Sequence, residues 1–204
     1  MSLSFKDFET VRGRRLMTAI VMAAGLSTRM GADKLTLPLE GKPVFVHILS
    51  RVCALPFAER LVVTNQAQIA QYAVQHGFRV VPSPNAALGM GYSVAAGARA
   101  VRADVQGIMF LNADQPFISR EMIENLWSLF LEKNQIMVPY VKEKPSSPCI
   151  FPIRFRQELE ALTGEPGGKQ VYRKHLDETC FVPQQSAELF ADLDCPSDYL
   201  PYQQ

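Results

Sequence analysis

Residues 19–34, Ala-Ile-Val-Met-Ala-Ala-Gly-Leu-Ser-Thr-Arg-Met-Gly-Ala-Asp-Lys, constrain the fold of this chain more than any other stretch. An apolar run rich in branched residues, of the kind that forms a buried parallel strand, meets Gly25 and becomes a short polar loop. In open α/β sheets, ligands bind at the carboxyl ends of strands, where such a loop lies. This one suits phosphates. Gly25 and Gly31 can take positive φ and turn backbone N–H groups toward an anion, and Ser27, Thr28, Arg29 and Lys34 add hydroxyls and positive charge, with no acid before Asp33. The expected ligand is a nucleotide or another polyphosphate.

Two common phosphate loops are excluded. A Walker loop needs Gly-Lys followed by Ser or Thr, whereas Gly41-Lys42 runs into Pro43 and Gly168-Lys169 into Gln170. A dinucleotide fingerprint needs G-x-G-x-x-G and an acid ending the next strand. Here the glycines are more widely spaced and the next strand closes in Thr64-Asn65.

A length of 204 residues fits one domain with a sizeable core. Residues 1–16 read as a loose N-terminal arm and 17–204 as the domain. The net charge of +1 is too balanced for a protein that lives on nucleic acid, and no Lys/Arg block points to an anionic membrane surface. Neither partner is expected. Cys53, Cys149, Cys180 and Cys195 lie far apart, which argues against a zinc knuckle or a disulfide framework and for reduced thiols in the cytoplasm. The apolar stretch 16–26 is far short of the roughly 20 residues a membrane helix needs.

Strand and helix patterns alternate along the chain, so the sheet should be parallel. The spacing of Phe45, Ile48, Leu49 and Val52 predicts a helix over 43–55; strands are expected at 61–64 and 78–81, and a helix at 67–76 closed by Gly77. An Ala-rich helix over 91–101 should place Val94, Ala95 and Ala98 inward. Its start, residues 89–93, should offer free backbone donors facing the loop after the first strand. A central strand over 106–111 should end at Asp114, an acid where a metal ligand is wanted, before a helix capped by Ser119. Beyond Ile136 come strands at 136–141, 149–151 and 180–182, a helix around 155–162 and the Gly-rich turn 164–169. His47 and His175 read as structural.

The pattern Ala-Ala-Gly-x-Ser-x-Arg-Met-Gly-x-x-Lys resembles the signature loop of the MobA-like nucleotidyltransferases, the family of molybdenum cofactor cytidylyltransferases and guanylyltransferases. The likeness extends over about residues 18–199. Residues 89–97 resemble the family's Gly-Met-Ser-Ser-Ser-Leu segment, Asp114-Gln115-Pro116 its Asp-x-Pro, Ser147-Pro148 its Asn-Pro, and 164–169 its Gly-Asp-x-Gly-Ala-Arg turn. Residues 192–198 resemble its Asp-Ile-Asp-Thr-Pro-Glu-Asp. Gly91-Tyr92 stands in place of Ser-Ser and Ser147 in place of Asn.

The resemblance implies a single Rossmann-like α/β domain of the nucleotide-diphospho-sugar-transferase type, with a mostly parallel central sheet flanked by helices. Residues 17–116 would be its nucleotide-binding half and 117–204 its acceptor-binding half. It implies transfer of CMP from CTP to molybdenum cofactor, with Mg²⁺, or Mn²⁺ in its place, and a molybdoenzyme of the hydroxylase type as recipient. Lys34, Arg29 and Asp114 would be catalytic. Ala23, Ala24, Gly25, Ser27, Arg29, Gly31, Lys34 and Ser93 would bind nucleotide, Asp114 and Asp194 metal, with Asp192 and Asp198 competing for the second place. Ser147, Gly168 and Lys169 would hold the acceptor. Ala23-Ala24-Gly25 and Leu37-Pro38-Leu39 match cytidylyl members, where guanylyl members more often read Ala-Gly-Gly. Two other readings are a transferase acting on a sugar phosphate or another small phosphomonoester, and a non-catalytic nucleotide-binding or cofactor-delivery module. An intact Arg29, Lys34 and Asp114 argue against the last.

Overall fold

Alternate side chains of the first strand, β1 (Met17–Met22), enter two different apolar cores, because successive residues of a strand point to opposite faces of its sheet. Met17, Ala19 and Val21 join one core, and Ile20 joins the other. The protein, a computed structural model that describes residues 16–25, 34–191 and 193, is therefore a sheet sandwiched between helices. The helices α1 (Val44–Cys53), α2 (Ala67–Gln75) and α4 (Arg120–Lys133) supply the first core. The second is closed by α3 (Met90–Ala100) and the short α5 (Arg156–Glu160) and α6 (Lys169–Lys174).

The remaining strands are β2 (Pro38–Leu39), β3 (Lys42–Pro43), β4 (Glu59–Val63), β5 (Arg79–Val81), β6 (Gly107–Asn112), β7 (Ile136–Val141), β8 (Lys144–Pro145), β9 (Cys149–Pro152) and β10 (Thr179–Gln184). The main sheet has the order β10-β7-β9-β6-β1-β4-β5, with β8 hairpinned onto β7. Pairing is parallel from β5 through β6 and again between β7 and β10, but β9 runs antiparallel to both β6 and β7. The sheet is thus mixed at β9, because the chain folds back after β7 at Lys142-Glu143 and both β8 and β9 return antiparallel to β7 without a crossover helix.

Local chemistry explains the element ends. Ser119 Oγ accepts from the Met122 N–H at 3.1 Å to open α4, and Asn134 closes it in the left-handed region at φ 50°. Two hairpins escape the sequence reading. Their two-residue turns, Glu40-Gly41 and Lys142-Glu143, hold both residues at positive φ, which in the second case neither Gly nor Asn advertises. Among the described residues no helix is long and apolar enough to cross a membrane.

Packing between sheet and helices is close enough to exclude side chains at two glycines. A Cβ on Gly97 of α3 would sit 3.1 Å from methyls of Ile20 and Val63, so the helix rides directly on β1 and β4. A Cβ on Gly107, the first residue of β6, would meet the Phe130 ring at 2.6 Å. Phe130 is itself buried in the α4 core and has little room to yield. Gly107→Ala is expected to destabilise the protein by about 1–3 kcal/mol. Urea unfolding checks it, with a lower midpoint expected at unchanged slope.

Candidate active site

The strand order creates the site. From β1 the chain moves outward through β4 to β5 and then returns to place β6 on the other side of β1, so the connections leave in opposite directions and open a crevice at the carboxyl ends. The ladder continues past the strands: Ala23 N–H donates to Val63 O at 2.8 Å and Ala113 N–H to Met22 O at 3.0 Å. Over this end lies a cleft of about 690 Å³, a size suited to a small-molecule ligand.

Ala24, Gly25, Lys34, Ser93, Asp114, Ser147, Gly168 and Lys169, drawn from distant parts of the sequence, all line this one cleft. Ala23 does not. It is 1% exposed, packs in the core beneath, and spends its N–H on β4, because strand alternation turns it away from the ligand side. Ser27, Arg29, Gly31, Asp192, Asp194 and Asp198 lie outside the described residues. Gly25 does not hold a positive φ as its sequence context suggests, and among the described residues a Cβ there would meet nothing within 4 Å. Its lack of a side chain leaves open space at the cleft and is not demanded by its own backbone.

At the centre, Lys34 Nζ donates to Asp114 Oδ2 at 2.6 Å. Lys34 opens a 3-10 turn, Lys34–Thr36, whose Leu35 is buried and anchors it. Asp114 follows β6, and both side chains are largely but not wholly screened from solvent, at 15% and 22% exposure. The Asp114 carbonyl also accepts from Leu193 N–H at 3.2 Å, which brings the chain between Asp192 and Asp194 back to this point. A carboxylate at the mouth of a phosphate-suited crevice has the hard-oxygen chemistry that Mg²⁺ or Mn²⁺ takes, since such ions use one or two carboxylates and complete their shell with phosphate oxygens and water. Asp114 thus supplies one oxygen donor of the kind a divalent cation takes, and among the described residues no group of three or more His, Cys, Asp or Glu surrounds it.

The start of α3 departs from its sequence expectation. Its donors are not all free: Gly91 N–H donates to Gly164 O at 2.7 Å and Tyr92 N–H to Gly89 O at 3.2 Å. The backbone at 163–165 rests on this helix end so tightly that a Cβ on Gly89 would lie 2.4 Å from the Gly164 carbonyl carbon, and one on Gly91 2.6 Å from Thr163 O. Gly91, where the family resemblance has Ser, is what permits that contact. Ser93 reaches the cleft, yet its Oγ is 2.9 Å from Ser83 Oγ, and Asn65 holds Ser83 through paired bonds to its backbone at 2.7 and 2.9 Å. Asn65 and Ser83 were not legible as support for Ser93, since neither sits in a motif. His47 Nε2 donates to Leu39 O at 2.9 Å and His175 Nε2 to Glu158 Oε1 at 2.8 Å, so both are structural. Cys149 lines the cleft but burial pushes its thiol up to about 12, which leaves it protonated and unreactive.

A switch-point crevice carrying a lysine and a carboxylate at the strand ends is an arrangement suited to a nucleotide. Residues 19–179 match the MobA-like NTP transferase domain, and the chain belongs to that family. It is 25% identical over 192 residues to the molybdenum cofactor cytidylyltransferase of Escherichia coli K12, covering 89% of this chain and 92% of that protein. It is 32% identical over 117 residues to the bifunctional protein GlmU of Rhizorhabdus wittichii, covering 55% of this chain. It spans only 25% of that protein and 34% of the GlmU of Desulfotalea psychrophila. In fold it is similar to Rv0371c from Mycobacterium tuberculosis H37Rv, with a TM-score of 0.77 at 22% identity, covering 93% of this chain and 98% of the other.

Lys34→Ala should lower turnover at least 10²-fold while leaving the melting temperature nearly unchanged, because it removes a charge from the cleft and no packing from the core. Steady-state kinetics at saturating nucleotide checks it. Gly91→Ser should force residues 163–165 off α3, lowering stability by about 1–3 kcal/mol and kcat/KM with it; calorimetry and kinetics on the same preparation test both.

Proposed function

We propose that this protein transfers CMP from CTP to the terminal phosphate of molybdenum cofactor, releasing pyrophosphate, with residues 17–116 serving mainly the nucleotide and 117–204 the acceptor. The observation that carries the reading is the Lys34–Asp114 pair at the mouth of the β1/β6 crevice, in a chain similar over nearly its whole length to a molybdenum cofactor cytidylyltransferase.

A phosphate monoester with a second pKa near 6 is largely dianionic at neutral pH, so the attacking group needs no strong base. The residues have two tasks, to hold the reacting groups in line and to offset charge. Lys34 and Arg29 serve the β- and γ-phosphates, whose charge grows as pyrophosphate leaves. Gly25 leaves room for the phosphates, and Ala24 and Ser93 border the nucleoside. Asp114 and Asp194 would hold Mg²⁺, or Mn²⁺, which when bound neutralises phosphate charge. Support for such an ion comes from the related fold of Rv0371c from Mycobacterium tuberculosis, whose structure is known in complex with manganese. Without ligands Lys34 occupies Asp114; with them it exchanges that carboxylate for phosphate oxygens. Ser147, Gly168 and Lys169 face the acceptor. Free thiols at Cys53, Cys149 and Cys180 suit the cytoplasm, where a molybdoenzyme of the hydroxylase type would receive the product.

A sugar phosphate or another small phosphomonoester as acceptor is the second reading, favoured by the likeness, 44% identical over 63 residues, to the 2-C-methyl-D-erythritol 4-phosphate cytidylyltransferase of Geotalea uraniireducens. Incubation with Mg²⁺, each of the four nucleoside triphosphates and either molybdenum cofactor or a hexose 1-phosphate, followed by mass measurement of the product, separates the two. For the base, Ala24 is 8% exposed and its methyl narrows the cleft where guanylyl relatives more often have Gly. The unmodified protein should prefer CTP to GTP by up to about 10³-fold in kcat/KM, since wrongly placed buried donors are left unpaired. Ala24→Gly should relax that preference without abolishing activity. Equal values for CTP and GTP in the unmodified protein, or a preference for GTP, overturn the cytidylyl reading.

A further inference from the structure

Tyr172, in α6, is 3% exposed, with its ring in the core that also holds Phe151, Phe155 and Val171. An edge-on contact with Phe181 of β10, centroids 6.1 Å apart, fixes the ring from the far side. Its hydroxyl is shielded and has no hydrogen-bond partner among the described residues, and Tyr172 is one of the residues that line the cleft. Buried tyrosine hydroxyls normally find a partner, because the ring is apolar and the O–H is not. The nearby thiol of Cys149 does not provide one, since it donates to Ser146 O at 3.2 Å. Burial, with the neighbouring Cys149 adding to it, pushes the phenol above its ordinary value, so it keeps its proton and acts as a donor.

The side of the cleft is informative. In the order β9-β6-β1, Cys149 and Phe151 on β9 lie across β6 from the loop that follows β1. Tyr172 is on the β9 side, three residues after Lys169 on the same helix, a spacing that puts both side chains on one face. The clamp of residues 163–165 on Gly89 and Gly91 sets the position of the turn that leads into α6. Gln115, 2% exposed and next to Asp114, also lines the cleft with its Oε1 unpartnered among the described residues. Two buried polar groups without partners in one cleft mark places where a ligand completes the hydrogen bonding.

We propose that the Tyr172 hydroxyl donates a hydrogen bond to an oxygen of the phosphomonoester acceptor, next to Lys169, and is an acceptor-selecting residue of this enzyme. The proposal rests on the nucleotidyl-transfer reading above, but on neither the identity of the base nor that of the acceptor.

Tyr172→Phe removes the hydroxyl and keeps the ring. In the ligand-free protein the variant should melt at or above the unmodified temperature, because no bond is lost and an unpartnered group is removed. A clear drop in melting temperature overturns the proposal by giving the hydroxyl a structural partner. In kinetics with CTP and molybdenum cofactor, KM for the acceptor should rise about fivefold or more, while KM for CTP and kcat stay within about twofold. An unchanged acceptor KM, or a loss confined to CTP, overturns it as well. Should the unmodified protein fail to act on molybdenum cofactor, that acceptor reading falls, and a hexose 1-phosphate takes its place with the same acceptor-side loss expected. The melting comparison decides for or against a structural hydroxyl in either case.

Discussion

The parallel pairing of β6 with β1 is the constraint on which the rest of the molecule depends. Met17 to Met22 lie in register with Gly107 to Asn112, and both strands are buried on both faces. This pairing ends the two strands at one level, so Gly25 and Asp114 emerge into the same crevice although they lie far apart in the sequence. Each outward neighbour then has a defined place: β4 continues the parallel sheet on one side, and β9, reversing direction, continues it on the other. Helices fill both faces because alternate β1 residues present apolar surface to each.

Across this crevice the two walls are held together by backbone contact. The chain at 163–165 lies against the start of α3, accepting a hydrogen bond from Gly91 where any side chain would collide. A helix N-terminus in such a place is a ready anion site, yet here one of its donors already belongs to the opposite wall. The consequence is a fixed wall, with Gly168, Lys169 and Tyr172 placed relative to the start of α3 by a main-chain clamp that tolerates little substitution.

The electrostatic centre follows the same economy of parts. Lys34 comes from a short turn pinned by Leu35, Asp114 from the end of β6, and the two neutralise each other at 2.6 Å in a partly screened setting. Pairing keeps either charge from standing alone in the cleft. The hydrogen bond from Leu193 N–H to the Asp114 carbonyl brings that residue to the same strand end.

The sequence by itself determined the α/β architecture and, among the described residues, most of the predicted residues that line the cleft, because periodicity of 2 or 3.6 is set by backbone geometry. It also located Ser119 as a cap and the inward face of α3, Val94, Ala95 and Ala98, since these depend on neighbours within one or two turns. Only the tertiary structure decided what depends on distant backbone. The reversed direction of β9 follows from a hairpin whose Lys142-Glu143 turn carries no turn signature. The occupied donor at Gly91, the burial of Ala23, the Asn65 and Ser83 support for Ser93, and the unpartnered hydroxyl of Tyr172 are set by segments far apart in the chain. Such features come from packing between elements, where the free energy of a contact belongs to a pair of surfaces and is written in neither one alone.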